Sequence, residues 1–225
     1  MAATTVQGVI LNVSAGHPTS RTIGVEVSIA GQQIADSDMR RALGQTRMTD
    51  EADERELIHS IPIGFSIDGS RGIRDPRGMF GERLGVNMHL ITAQAGALRN
   101  LQACVARCHL EIDAMVVSPY AAGLASLVED EMDLGATVID MGGGTMQIAI
   151  FAEGVLQHVD HVPVGGIHVT NDIARGLSTT VAHAERMKTL YGSVRAAPSD
   201  DRDVLPVPMV GEDDQQIARM PRSVL

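Results

Sequence analysis

Apolar residues along this chain come in short runs separated by turn-forming clusters, the pattern of a mixed α/β protein. Residues 6–13 are apolar-rich, Ala15-Gly16-His17-Pro18 reads as a turn, and residues 23–29 alternate as a strand does. Residues 32–46 have helical spacing, with Asp36 as N-cap ahead of Met39 and Leu43. Residues 49–56 are charged and turn-like. Residues 57–67 read as a strand broken at Pro62, which suits an edge or a bulge. A long loop, 69–81, carries Arg71, Arg74 and Arg77, and residues 84–92 alternate as a second strand. Leu98, Leu101, Val105 and Cys108 give residues 95–109 the spacing of a helix packed on a sheet. Residues 112–117 make a third strand. Residues 33–117 thus read as one α+β unit in the order helix, strand, strand, helix, strand. A helix from Pro119 through Ala122, Leu124, Leu127 and Val128 leads onward.

The most informative stretch follows, Val138-Ile139-Asp140-Met141-Gly142-Gly143-Gly144-Thr145-Met146. Two short apolar runs flank three glycines, and no helix tolerates such a run, so a β-hairpin with a glycine tip is predicted. Backbone without Cβ atoms lets amide N–H groups come close to an anion, and Asp140 could hold a metal-bound or attacking water. A plain Gly-rich hairpin is the bland alternative. A P-loop is excluded, because no Gly-Lys-Ser/Thr follows.

Further on come Val162-Pro163-Val164-Gly165-Gly166-Ile167-His168 and then Ala184-Glu185-Arg186-Met187-Lys188. In their order of hairpin, strand, Gly-Gly, helix and a helix with Glu-x-x-Lys, these segments resemble the actin-like ATPases. Upstream, Ile61-Pro62-Ile63-Gly64-Phe65, Gly72-Ile73-Arg74-Asp75-Pro76-Arg77-Gly78-Met79 and Val86-Asn87-Met88-His89-Leu90 resemble the insert particular to the FtsA cell-division family. The resemblance spans roughly residues 20–195. It implies an incomplete α/β, actin-like (ribonuclease H-like) fold with an inserted α+β subdomain, called 1C, of SHS2 type. The expected division is 1–32 as a remnant of subdomain 1A and 33–118 as 1C. The rest of 1A with the second phosphate loop would be 119–195, and 196–225 the opening of the second half (2A/2B).

On that resemblance Gly142, Gly143, Gly144 and Thr145 match the second phosphate loop, and Asp140 matches the acidic residue acting through magnesium or a water. Gly165 and Gly166 match the turn that opens the helix beside the nucleotide. Glu185 and Lys188 match residues near the ribose and base, while an ordinary i,i+3 surface ion pair is the alternative for them. Gln147 stands where an acidic residue often follows in the family. ATP and magnesium are the implied ligands, with at most weak ATPase activity in a full-length protein. The implied partners are FtsZ, late division proteins such as FtsN, and further copies through 1C. The implied location is the cytoplasmic face of the inner membrane at the division site. The arginine loop at 69–81 fits either an acidic partner or a solvated connection. A pilus-assembly protein or chaperone of the superfamily, and a sugar or acetate kinase of the same fold, remain as alternatives.

Composition narrows this only at the edges. A formal net charge of −10 with no Lys/Arg-rich stretch argues against a nucleic-acid surface. No apolar run approaches the ~20 residues of a membrane-spanning helix. Cys104 and Cys108 suit a disulfide poorly at helical i,i+4 spacing, and are expected to be small buried residues. His158, His161 and His168 lack a Cys or carboxylate at fixed spacing, so no zinc site is read from them. Nothing before residue 20 has the Asp-x-Gly pattern of a first phosphate loop, and no adenosine loop or membrane-binding helix follows. The acidic, Pro-containing tail from Ala196 reads as a partly ordered segment or loose strands. A fragment with half of a nucleotide cleft, and therefore little catalysis alone, is the expectation.

Overall fold

The computed structural model describes residues 6–45, 54–211 and 217–225. Thr46, most of the charged turn expected at 49–56, and Glu212, Asp213 and Asp214 of the acidic tail lie outside the described residues. The chain divides into two compact units, one of residues 1–140 with 146–162, the other of 141–145 with 163–225.

In the first unit, strand β1 (Gly8–Val13) pairs in parallel with β6 (Glu111–Val117). A four-stranded antiparallel sheet runs β2 (Thr19–Ser28), β5 (Arg83–Gln94), β3 (Arg55–Ile67), β4 (Ser70–Ile73). Helix α1 (Asp36–Gln45) covers it, its Ala42, Met39 and Leu43 packing with Val27, Leu84, Val86, Met88 and Leu90. The carboxylate that caps α1 is Asp38, not Asp36: its Oδ2 accepts from the Ala35 amide at 3.0 Å, reaching back from inside the first turn.

Several expectations are corrected here. β5 was read as alternating, yet it is buried on both faces: Leu84, Val86, Met88 and Leu90 serve the α1 core, while His89, Ile91 and Ala93 are buried on the other side. The sheet takes in residues 19–28, ahead of the boundary expected at 33, because β2 pairs with β5 from Thr19 to Ser28. Residues 112–117 leave it, because β6 joins β1. Pro62 sits where the β3–β5 register shifts, so its missing N–H breaks no regular ladder. Part of the arginine loop, Ser70–Ile73, is a strand.

Helix α2 (Ala95–Arg107) buries Leu98 with Val13 and Ala93. Cys104 and Cys108 are free, and both are exposed: the helical spacing was right, but they lie off the face that Leu98 buries. The helix expected from Pro119 through Val128 stops at Ser126 (α3, Ser118–Ser126), because Leu127 and Val128 turn extended, and a further helix follows, α4 (Glu129–Leu134). A second sheet, β7 (Ala136–Met141), β8 (Met146–Ala152), β9 (Val155–Val162), packs Phe151, Leu156 and Val159 with Ile91 and Val117.

The second unit holds the Met141–Thr145 loop, α5 (Gly166–Gly176), α6 (Val181–Tyr191), and the antiparallel pair β10 (Val204–Pro208) and β11 (Ile217–Pro221). Leu177, Met187, Leu205 and Val207 form its core. The tail, expected as a partly ordered segment or loose strands, forms this paired ribbon among its described residues.

Candidate functional site

The site grows from two glycine segments of the second unit. The Gly142 amide donates to the Thr145 carbonyl at 2.9 Å, closing the tip between β7 and β8. The Gly166 amide then donates to the Gly142 carbonyl at 3.1 Å, and the Ile167 amide to that of Gly143 at 2.8 Å. The first turn of α5 is thereby seated on the glycine loop. A Cβ at Gly165 would lie 2.6 Å from the Gly142 oxygen, so the seat requires glycine there. Gly142 is held by similar crowding, 2.8 Å from the Thr145 oxygen. None of Gly142 to Gly144 has positive φ, so left-handed backbone does not explain the run, and close approach accounts for Gly142.

Gly143 and Gly144 differ from these. A Cβ at either would meet nothing within 4 Å. Their amides donate to no other group among the described residues. Exposed backbone N–H groups beside open space, at the end of a helix-seated glycine loop, suit an anion.

Three side chains of α5 and α6 brace this arrangement. Thr170, fully buried, donates its hydroxyl to the Gly166 carbonyl at 3.0 Å or to Glu185. Lys188 Nζ lies 2.8 Å from Thr170 Oγ1, 3.1 Å from the Gly166 oxygen and 2.8 Å from Glu185 Oε2. The Lys188 ammonium first, and the Thr170 hydroxyl second, hold the Glu185 carboxyl below the ordinary range for glutamate. The pair is thus more than the exposed i,i+3 contact weighed from sequence, because a buried hydroxyl joins it to the glycine turn. His168 Nδ1 accepts from the Gly165 amide at 3.0 Å and caps the start of α5.

The structure brings together Gly142, Gly143, Gly144, Thr145, Gly165, Gly166, Glu185 and Lys188 in one unit. Asp140 is the penultimate residue of β7, half-buried, two positions before Gly142. Gln147 is turned into the first unit, where its Nε2 donates to the Ser14 carbonyl at 2.7 Å. His158 and His161 belong to β9, beside Ser20 and His17 respectively, whereas His168 caps α5. Among the described residues no three His, Cys, Asp or Glu side chains converge as metal ligands. Sequence reasoning missed Thr170 and His168. Their signal was positional: Thr170 lies four residues after Gly166 and His168 three after Gly165, and each reaches back over the turn.

The family description "Cell division protein FtsA" matches residues 137–224, and that of the SHS2 domain inserted in FtsA matches residues 15–92. The cell division protein FtsA of Rhizobium meliloti (strain 1021) is 48% identical over 100% of this chain and 51% of its own length. FtsA of Escherichia coli (strain K12) is 32% identical over 100% of this chain and 52% of its own. The chain therefore spans about half the length of the curated relatives it matches. A solved PilM–PilN type IV pilus biogenesis complex shares the fold, with a TM-score of 0.58 at 19% identity over 83% of this chain and 51% of that one. No helix among the described residues is long and apolar enough to cross a membrane.

Proposed function

The chain belongs to the FtsA family of cell-division proteins, and we propose that its glycine loop is one wall of a nucleotide site that governs assembly of a division scaffold. The observation that carries this is the pair of unused amides at Gly143 and Gly144, set beside open space and backed by the seat of α5 on Gly142 and Gly143. Gly142, Gly143, Gly144 and Thr145 would hold the β- and γ-phosphates of ATP. Gly165 and Gly166 bring the positive end of the α5 dipole to the same place, and anions are favoured there. Glu185, its side chain half exposed, suits ribose hydroxyls, and the Glu185–Lys188 pair lies on the nucleoside side of the site. Asp140 would hold magnesium or order a water. Bound magnesium would neutralise charge on the phosphate oxygens.

Catalysis of phosphoryl transfer depends on placing water, cation and phosphate in a closed, dry cleft. The glycine loop is exposed on the described residues and supplies donors from one side. Nucleotide here serves as a clamp between halves of the full-length protein more than as a fuel. The clamped protein polymerises on the cytoplasmic face of the inner membrane, anchors the FtsZ ring and receives later proteins such as FtsN. Self-association runs through the inserted subdomain.

Depletion of the protein in its own bacterium should give elongated, undivided cells. Full-length wild type should restore septation and Gly143→Asp should not, at equal protein levels. Normal division with Gly143→Asp would count against a nucleotide-governed scaffold.

A further inference from the structure

We infer that Lys188 and Thr170 are positioning residues that hold the phosphate loop in shape from behind, and that Glu185 alone of the Glu-x-x-Lys pair is free to meet the nucleotide. The inference rests on the nucleotide reading and divides its labour among residues.

An ammonium has three N–H donors. Those of Lys188 have three acceptors within the protein: the Gly166 carbonyl, Thr170 Oγ1 and Glu185 Oε2. No donor is left over for a ribose or base without breaking one of these. Thr170 is the node of the set. Its buried hydroxyl accepts from Lys188 and gives its one proton to Gly166 or to Glu185. From there the chain of contacts leads straight to the loop. The Gly166 carbonyl is gripped from α6, while the Gly166 amide, on the other side of the same residue, grips the Gly142 carbonyl. The Ile167 amide grips Gly143. Loss of the Lys188 contact frees the turn that fixes both loop carbonyls. Glu185 commits Oε2 to Thr170 and Lys188, and with half of its side chain exposed it keeps the other oxygen for a hydroxyl donor. Lys188, a quarter exposed, is the more enclosed of the two.

The test is amide hydrogen exchange on the intact chain without nucleotide, comparing wild type with Lys188→Met, Thr170→Val and Thr170→Ser. The amides to read are those of Gly142, Gly166 and Ile167, against the amides of Leu205 and Val207 as a reference for the core of the same unit. Lys188→Met and Thr170→Val should speed exchange at the three glycine-turn amides about tenfold and leave the reference amides unchanged. Thr170→Ser, which keeps the hydroxyl, should restore the wild-type rate. Unchanged exchange at Gly166 and Ile167 in Lys188→Met would overturn the inference. So would an equal rise at Leu205 and Val207, which would mark general loosening. Because nucleotide is absent, this result stands apart from whether ATP binds, which titration of wild type against Gly143→Asp decides. In that titration Lys188→Met should weaken ATP and dATP equally. A loss confined to discrimination between them would make Lys188 a ribose ligand and overturn the inference.

Discussion

At Gly165 a Cβ would fall 2.6 Å from one carbonyl oxygen and 2.7 Å from another, while at Gly143 it would meet nothing within 4 Å. The two glycines should respond oppositely to substitution. Gly165→Ala forces the α5 turn off its seat and is expected to cost ~1–3 kcal/mol, read as a lower denaturant midpoint. Gly143→Asp, on an exposed tip, should leave stability within about 0.5 kcal/mol while setting a negative charge where phosphate is proposed to sit. Gly123→Ala belongs with the first, since its Cβ would meet the Phe151 ring at 2.4 Å. It too should lower the midpoint by ~1–3 kcal/mol. The glycine run was legible in sequence because three adjacent glycines exclude most alternatives. Which glycine is required and which is open was not, because Gly165 is crowded by a loop some twenty residues away. Cys104 and Cys108 failed for the same reason: their spacing gave the helix, but only packing chooses its buried face.

Between elements, polar side chains do joining work that no pattern of apolar residues announces. The Ser20 hydroxyl donates to the Val159 carbonyl at 2.9 Å and accepts from the Val159 amide at 2.7 Å, so one side chain ties β2 to β9. Ser20→Ala is expected to lower stability by ~1–3 kcal/mol, because two partly buried backbone groups lose their partner. Val117 donates its amide to His59 Nε2 at 3.2 Å, which requires that nitrogen to be unprotonated. Burial depresses the His59 imidazole below its ordinary value. His89 is depressed mainly by burial too, with the Leu156 backbone opposing and His158 and His59 adding a little. In the unfolded chain an imidazole takes its proton near pH ~6.5, before the folded one does. Stability is therefore full above that value and declines as pH falls through it toward the lower folded values. The denaturant midpoint should be lower at about pH 5.5 than at about pH 7.5; equal midpoints would contradict neutral burial of these rings. Most strands and helices were readable from period and turn residues. The partner of each strand was not: β6 has the apolar run of a sheet member, and only its parallel register with β1 shows which sheet it joins.

For the whole molecule, membership of the FtsA family joins what the two units show separately. The SHS2 match over 15–92 spans β2, α1, β3, β4 and most of β5, the four-stranded sheet with its covering helix. The FtsA match over 137–224 spans the glycine loop, α5 and α6. Sequence order alone pointed to the family and to an inserted subdomain, because several separated motifs had to recur in register, although the insert was expected at 33–118. The bracing of the site by Thr170 did not show there, since its place four residues after Gly166 gains meaning only once its neighbours are placed. The proposed site stands or falls with phosphate binding by the 142–145 loop. Calorimetric titration of the full-length protein with ATP and magnesium, beside its Gly143→Asp variant, tests it most directly. Saturable binding by wild type, lost in the variant with its melting transition unchanged, is the predicted result. Equal affinity in the two would mean that the loop does not hold the nucleotide.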